Sequence, residues 1–260
     1  MHRRRFIIIS GSMLGFTLLS ACTQVATPAA TAFNLAVAAS LKDVMQALDA
    51  SFRQQNPRPA AILQAAGSGS LAQQILDGAR FDVFASADRT SMAKVVDAKI
   101  ITDADVVTIA TADMIVVANP KSAVTALTAL ATPGTKVVLA DSTVPAGRYA
   151  QIALANLTAL HGVEYANQVN ANVVSLETNV RAVLQKVQSG EADAGIVYTA
   201  DIAKLSDNNI QTIPIPDQYG VQAEYVAAVL PGAQTESHAF LAFIRGNDAQ
   251  AIWQSFGFRA

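Results

Sequence analysis

One cysteine in 260 residues, Cys22, leaves no partner for an intrachain disulfide and no thiol cluster for a metal centre. Histidine is nearly as scarce, with three residues: His2, His161 in "LHGVE" and His238 near the C-terminus. There is no H-E-x-x-H pair, no G-x-S-x-G elbow and no Walker-type phosphate loop. These gaps leave the serines without an evident general base and argue for a protein that is not an enzyme and carries no cofactor. Charged residues make up only 15% of the chain, with a formal net charge of −2. Such a chain is a poor candidate for nucleic acid, whose binding depends on basic surface.

Hydrophobic residues, by contrast, reach 52%, enough to build a large core. The first of them form a leader. "MHRRR" is a basic start, "FIIISGSMLGFTLL" an apolar stretch too short for a comfortable membrane span, and "LSAC" follows. Residues 1–21 are therefore expected to be a signal peptide of the lipoprotein type. "LSAC" resembles a lipobox, which makes Cys22 the expected lipidation site and membrane anchor, with residues 22–31 as a tether. "RRRFI" loosely resembles a twin-arginine signal, so both export routes stay open. Loss of residues 1–21 removes Arg3, Arg4 and Arg5 and no acid, taking the formal charge from −2 to −5.

From residue 33 short apolar runs alternate with helical patterns. "FNLAVAA" (33–39) precedes a helix with Leu41, Val44, Met45, Leu48 and Phe52 on one face. Ser40, three residues before Asp43, reads as its N-cap in a capping box. Strands at 60–66 and 81–87 lead into further helices. After the long apolar run 106–118, interrupted at Asp113, a second series follows: strand 136–140, helix 146–160, strand 172–176, helix 179–189 and strand 194–200. Gly190 suits the position just past the helix end. Helical segments around 235–245 and 248–256 close the chain, where Trp253 reads as a core residue. The pattern predicts an α/β fold of two lobes with mixed sheets flanked by helices. Lobe 1 is expected to comprise 32–110 and 219–260, and lobe 2 to comprise 111–218.

Four strand-to-helix turns are small and hydroxylated. "VAASL" offers Ser40, and "GSGS" (67–70) offers Ser68 and Ser70. "VPAGRY" opens a helix at Ala146 behind Pro145, and "ETNVR" opens another at Thr178 to Val180. Helix starts carry unpaired N–H groups and partial positive charge, and in open sheets such turns lie where ligands bind. Each turn alone has an ordinary structural explanation; their combination points to an anion. Tyr198, at the end of a strand, reads either as a core ring or as a further donor. Arg148 and Arg181 read as solvated helix-start side chains, with long-range attraction of an anion as the alternative. Asp43 and Glu177 read as capping residues turned away from the cleft.

The ordered set "GSGSLAQQI", "SADRTSMAKV", "VPAGRYA", "GEADAGIVYTAD" and "EYVAAVL" resembles the ModA family, the periplasmic molybdate-binding proteins of ABC transporters. The likeness runs from about residue 33 to the C-terminus. It implies a type II periplasmic binding protein that holds molybdate or tungstate between its lobes and delivers it to a permease with its ATPase. Carried over by position, the implied donors are the side chains of Ser40, Ser68 and Tyr198 and the backbone N–H groups of Ala146 and Val180. Ser70 stands as the alternative to Ser68. The ligand would be held through its oxygens, with no direct bond from protein to metal. The resemblance further implies an extracytoplasmic monomer; sulfate or phosphate is the alternative oxyanion.

Overall fold

The computed structural model describes residues 32–205 and 210–260. The expected signal peptide, Cys22 and the tether lie outside the described residues.

Three βα units open the fold. They are β1 (Asn34–Ala38) and α1 (Lys42–Gln55), β2 (Ile62–Ala66) and α2 (Ser68–Leu76), and β3 (Val83–Ser86) and α3 (Arg89–Asp97). β1 lies between β2 and β3, parallel to both. A second series contains β5 (Val137–Ala140), α4 (Pro145–His161), α5 (Tyr165–Ala171), β6 (Val173–Glu177), α6 (Val180–Ser189), β7 (Ala194–Tyr198) and α7 (Thr199–Ile202). There β5 lies between β6 and β7, again parallel to both. Away from the sheet edges, β3, β5 and β7 are buried along their whole length, as expected where helices cover both faces of a sheet. The outer strands β2 and β6 leave Ile62, Val174 and Leu176 exposed.

Two antiparallel strands join the series. β4 (Val107–Ala118) pairs with β9 (Gln222–Val229) as far as Asp113, then with β7 and β8 (Gln211–Pro214) from Met114 onward. The interruption that Asp113 makes in the apolar run is thus a change of partner within one continuous strand. β9 also pairs antiparallel with β3, which completes the order β2-β1-β3-β9-β4-β7-β5-β6. After β9, α8 (Glu236–Ile244) and α9 (Asn247–Ser255) return to pack on α1. Phe33, Phe52 and Phe240 meet there in tilted and edge-on contacts. Trp253 is fully buried and donates its indole N–H to the Ile244 carbonyl (2.8 Å).

The fold uses each parallel strand to aim a turn. The six strands form two parallel triplets, and within each triplet all carboxyl ends face one edge. Those ends carry the candidate site.

Candidate functional site

After β1 the chain makes a 3-10 turn, Ala39–Leu41, before α1 begins. Ser40 sits in this turn, buried, and its side chain caps nothing. This corrects the N-cap expectation: the tight turn delays the helix start to Lys42, out of reach of the Ser40 hydroxyl. Its Oγ instead shares a hydrogen bond with the Tyr225 hydroxyl (3.2 Å). Asp43 caps nothing either; it pairs with Arg181 (2.8 Å).

After β2, Gly67 precedes α2 and Ser68 is its first residue. Ser68 is buried and its Oγ accepts from the Ala87 N–H (3.0 Å), at the end of β3. Ser70 is exposed and turns away. Of the two serines in "GSGS", the structure brings Ser68 to the site.

The second triplet contributes backbone. Pro145 and Ala146 are the first residues of α4, where Val144 supplies no capping side chain. The Ala146 N–H lies within the first turn and has no acceptor along its own helix. At α6, Asn179 is the N-cap and its side chain accepts from the Ala182 N–H (3.1 Å). That leaves the Val180 N–H open. Asn179, a typical capping residue, could have been recognised from its place before the helix. Glu177, expected to cap, pairs with Lys186 (2.6 Å) at the end of β6.

Tyr198 ends β7. It is about 1% exposed, and its hydroxyl has no hydrogen-bond partner among the described residues. Tyr149 and Tyr225 meet its ring edge-on, at 6.3 and 5.6 Å between centroids. Burial, and then the neighbouring Tyr225 and Asp201, push its phenol well above the usual range. It therefore stays protonated and can donate.

Ser40, Ser68, Ala146, Val180 and Tyr198 all line one cavity. The cavity is small. Alanine, glycine, valine, proline and Asn179 complete its wall, which holds no charged side chain. The two triplets approach closely here. A Cβ on Gly67 would lie 2.6 Å from the Thr178 carbonyl oxygen, so glycine is what lets the walls meet.

The expectation that Arg148 and Arg181 are merely solvated is corrected. Arg148 pairs with Asp88, the N-cap of α3, and donates to the Thr143 carbonyl (2.7 Å) and Ser91 Oγ (3.2 Å). Arg181 pairs with Asp43 on α1 and lies 3.1 Å from the buried Asp201. Each arginine thus reaches from the second series to an acid of the first, and neither lines the cavity. Burial raises the Asp201 carboxyl to about 7, against the opposing pull of Arg181. Among the described residues no group of three His, Cys, Asp or Glu side chains could hold a metal ion.

Comparison with known proteins shows the family and the fold. Residues 33–259 match the family model for bacterial extracellular solute-binding proteins. The molybdate-binding protein ModA of Mycobacterium tuberculosis H37Rv is 32% identical over 237 residues, 89% of this chain and 86% of its own length. The chain belongs to the ModA family of bacterial extracellular solute-binding proteins. Its fold is also that of the Azotobacter vinelandii periplasmic molybdate-binding protein, at 21% identity and a TM-score of 0.73 over 88% of this chain and 99% of the other. The Mycobacterium tuberculosis sulfate-binding protein SubI shares the fold at 18% identity, with a TM-score of 0.74 over 88% and 86%. As a ModA-family chain it is an extracytoplasmic solute-binding protein with the two-lobe α/β architecture.

Proposed function

We propose that this protein captures molybdate, and tungstate with it, and delivers the ion to an ABC permease driven by its ATPase. The observation that carries the reading is the buried Tyr198 hydroxyl, without a hydrogen-bond partner among the described residues, in a small cavity lined also by Ser40, Ser68 and two helix starts and by no charged side chain. Molybdate is a dianion near neutral pH with no proton to donate, so donors alone satisfy it. The donors are Ser40, Ser68, Tyr198 and the N–H groups of Ala146 and Val180. A protonated phosphate would need an acceptor, and burying its O–H against donors is costly.

Sulfate is the second reading, since its charge and shape suit the same donors. Rigid walls would then discriminate by size, molybdate being the larger ion. Molybdate and tungstate are too close in size to be told apart this way.

Lobe 1 (32–110 and 219–260) and lobe 2 (111–218) close about the strands that link them, and the permease reads the closed form. The protein is monomeric and performs no chemistry on its cargo. Cys22 is acylated after removal of residues 1–21, so residues 22–31 tether it to the membrane. Calorimetric titration with molybdate, tungstate, sulfate and phosphate tests the reading. Heat is expected with the first two and little with the others. Silence towards molybdate and tungstate would end it.

A further inference from the structure

Tyr225 lies on β9 and does not line the cavity, yet it touches the site from behind. Its side chain is fully buried, and among the described residues Ser40 Oγ is the one hydrogen-bond partner of its hydroxyl. Edge-on contacts with Tyr198 (5.6 Å) and Phe258 (5.1 Å) pack the ring on both sides.

We propose that Tyr225 is a positioning residue for the oxyanion: its hydroxyl donates to Ser40 Oγ and so commits the Ser40 proton to the cavity. The inference rests on the oxyanion reading above. Two hydroxyls share one hydrogen bond, and either could be its donor. If Ser40 donated to Tyr225, Ser40 would turn lone pairs towards an anion, and the Tyr225 proton would be buried without an acceptor. The opposite direction satisfies both groups and leaves the Ser40 proton free. Burial keeps the phenol protonated, so it remains a donor.

Ser68 shows the same device with its direction beyond choice. It accepts from the Ala87 N–H, which can only donate. Both seryl hydroxyls therefore receive a hydrogen bond from within the protein and are left to give one outward. In the free protein a hydroxyl of ambiguous direction would have to reorient before binding; these two are set in advance.

A double-mutant cycle read by molybdate calorimetry tests the proposal, with Tyr225→Phe, Ser40→Ala and both together in the purified protein. Tyr225→Phe is expected to weaken molybdate binding by about tenfold, the worth of one hydrogen bond. In the Ser40→Ala background the same change should cost nothing further. Losses that multiply, or Tyr225→Phe binding as tightly as wild type, would overturn the positioning role. Wild-type protein silent to molybdate and tungstate would instead remove the oxyanion reading, and this inference with it. Should Tyr225→Phe fail to fold, the ring Cζ chemical shift of Tyr225 in wild type answers the same question. It is assigned by elimination against the other four tyrosines. A donating hydroxyl before and after molybdate is expected; an accepting one would overturn the proposal.

Discussion

The two walls of the cavity hold their donors in different ways. On the wall built by β1 and β2, Ser40 and Ser68 are each bonded from behind, by Tyr225 and by the Ala87 N–H. On the wall built by β5, β6 and β7, the donors are helix-start N–H groups and the Tyr198 hydroxyl, which has no partner among the described residues. On the first wall each seryl oxygen has a partner behind it; on the second, the Tyr198 hydroxyl has none among the described residues. A buried donor without a partner costs stability, a cost that an anion accepting from Tyr198 would offset. The arginines follow the same asymmetry. Both start on the second series and pair with an acid on the first, Arg181 also with Asp201 of its own series, so the charges near the site neutralise one another.

The largest way to break the comparison is to keep the walls apart. Gly67→Ala places a Cβ against the Thr178 carbonyl oxygen, an overpacking of about 2–3 kcal/mol that one wall must relieve by retreating. Molybdate affinity is expected to fall roughly 100-fold with the far-ultraviolet circular dichroism unchanged. Affinity within a few-fold of wild type would mean that the walls need not meet as closely as they do.

A pair of substitutions sharpens the contrast itself. Tyr198→Phe removes an unsatisfied buried hydroxyl, so the ligand-free protein should melt higher while molybdate binds about tenfold or more weakly. Ser68→Ala removes an acceptor that the Ala87 N–H uses, so melting temperature and affinity should fall together, the stability by about 1 kcal/mol. Differential scanning calorimetry without ligand, beside titration with molybdate, separates the two patterns. If both variants lost stability, the walls would not differ as described.

The smallest effect lies behind the second wall. Burial raises the Asp201 carboxyl to about 7, whereas in the unfolded chain it titrates near 4, about 3.9. Between those values the folded protein holds the proton more tightly than the unfolded chain does. This group's contribution to stability is therefore greatest at the acid end of the window and is lost as pH rises through it. Thermal melts from pH 4 to 8 should show wild type losing ground to Asp201→Asn as the pH rises. A constant difference between the two would show that Asp201 titrates normally.

Much of this architecture was legible in the residues. The apolar stripe of α6, with Val180, Val183, Leu184 and Val187 buried, ends at Gly190 in the left-handed region at φ 80°, as the sequence suggests. α5 escaped notice because only Tyr165 and Val169 of its seven residues are buried, too few to establish a period. The change of partner at Asp113 looked like a break because residue patterns report burial and not which strand lies alongside. Ser40 carried the pattern of a cap, but a 3-10 turn and a tyrosine 185 residues away gave its hydroxyl another task. Arg148 and Arg181 looked solvated because their acids lie 60 and 138 residues away in the chain.

The sequence by itself determined the alternation of strands and helices, the small residues at the helix starts and the choice of uncharged donors, since these depend on neighbours a few positions apart. Tertiary structure alone decided that five of those donors share one cavity, that Ser68 rather than Ser70 faces it, and that two arginines are spent on acids instead of the guest. Those outcomes depend on which distant surfaces meet, and that is settled by the packing of the whole chain.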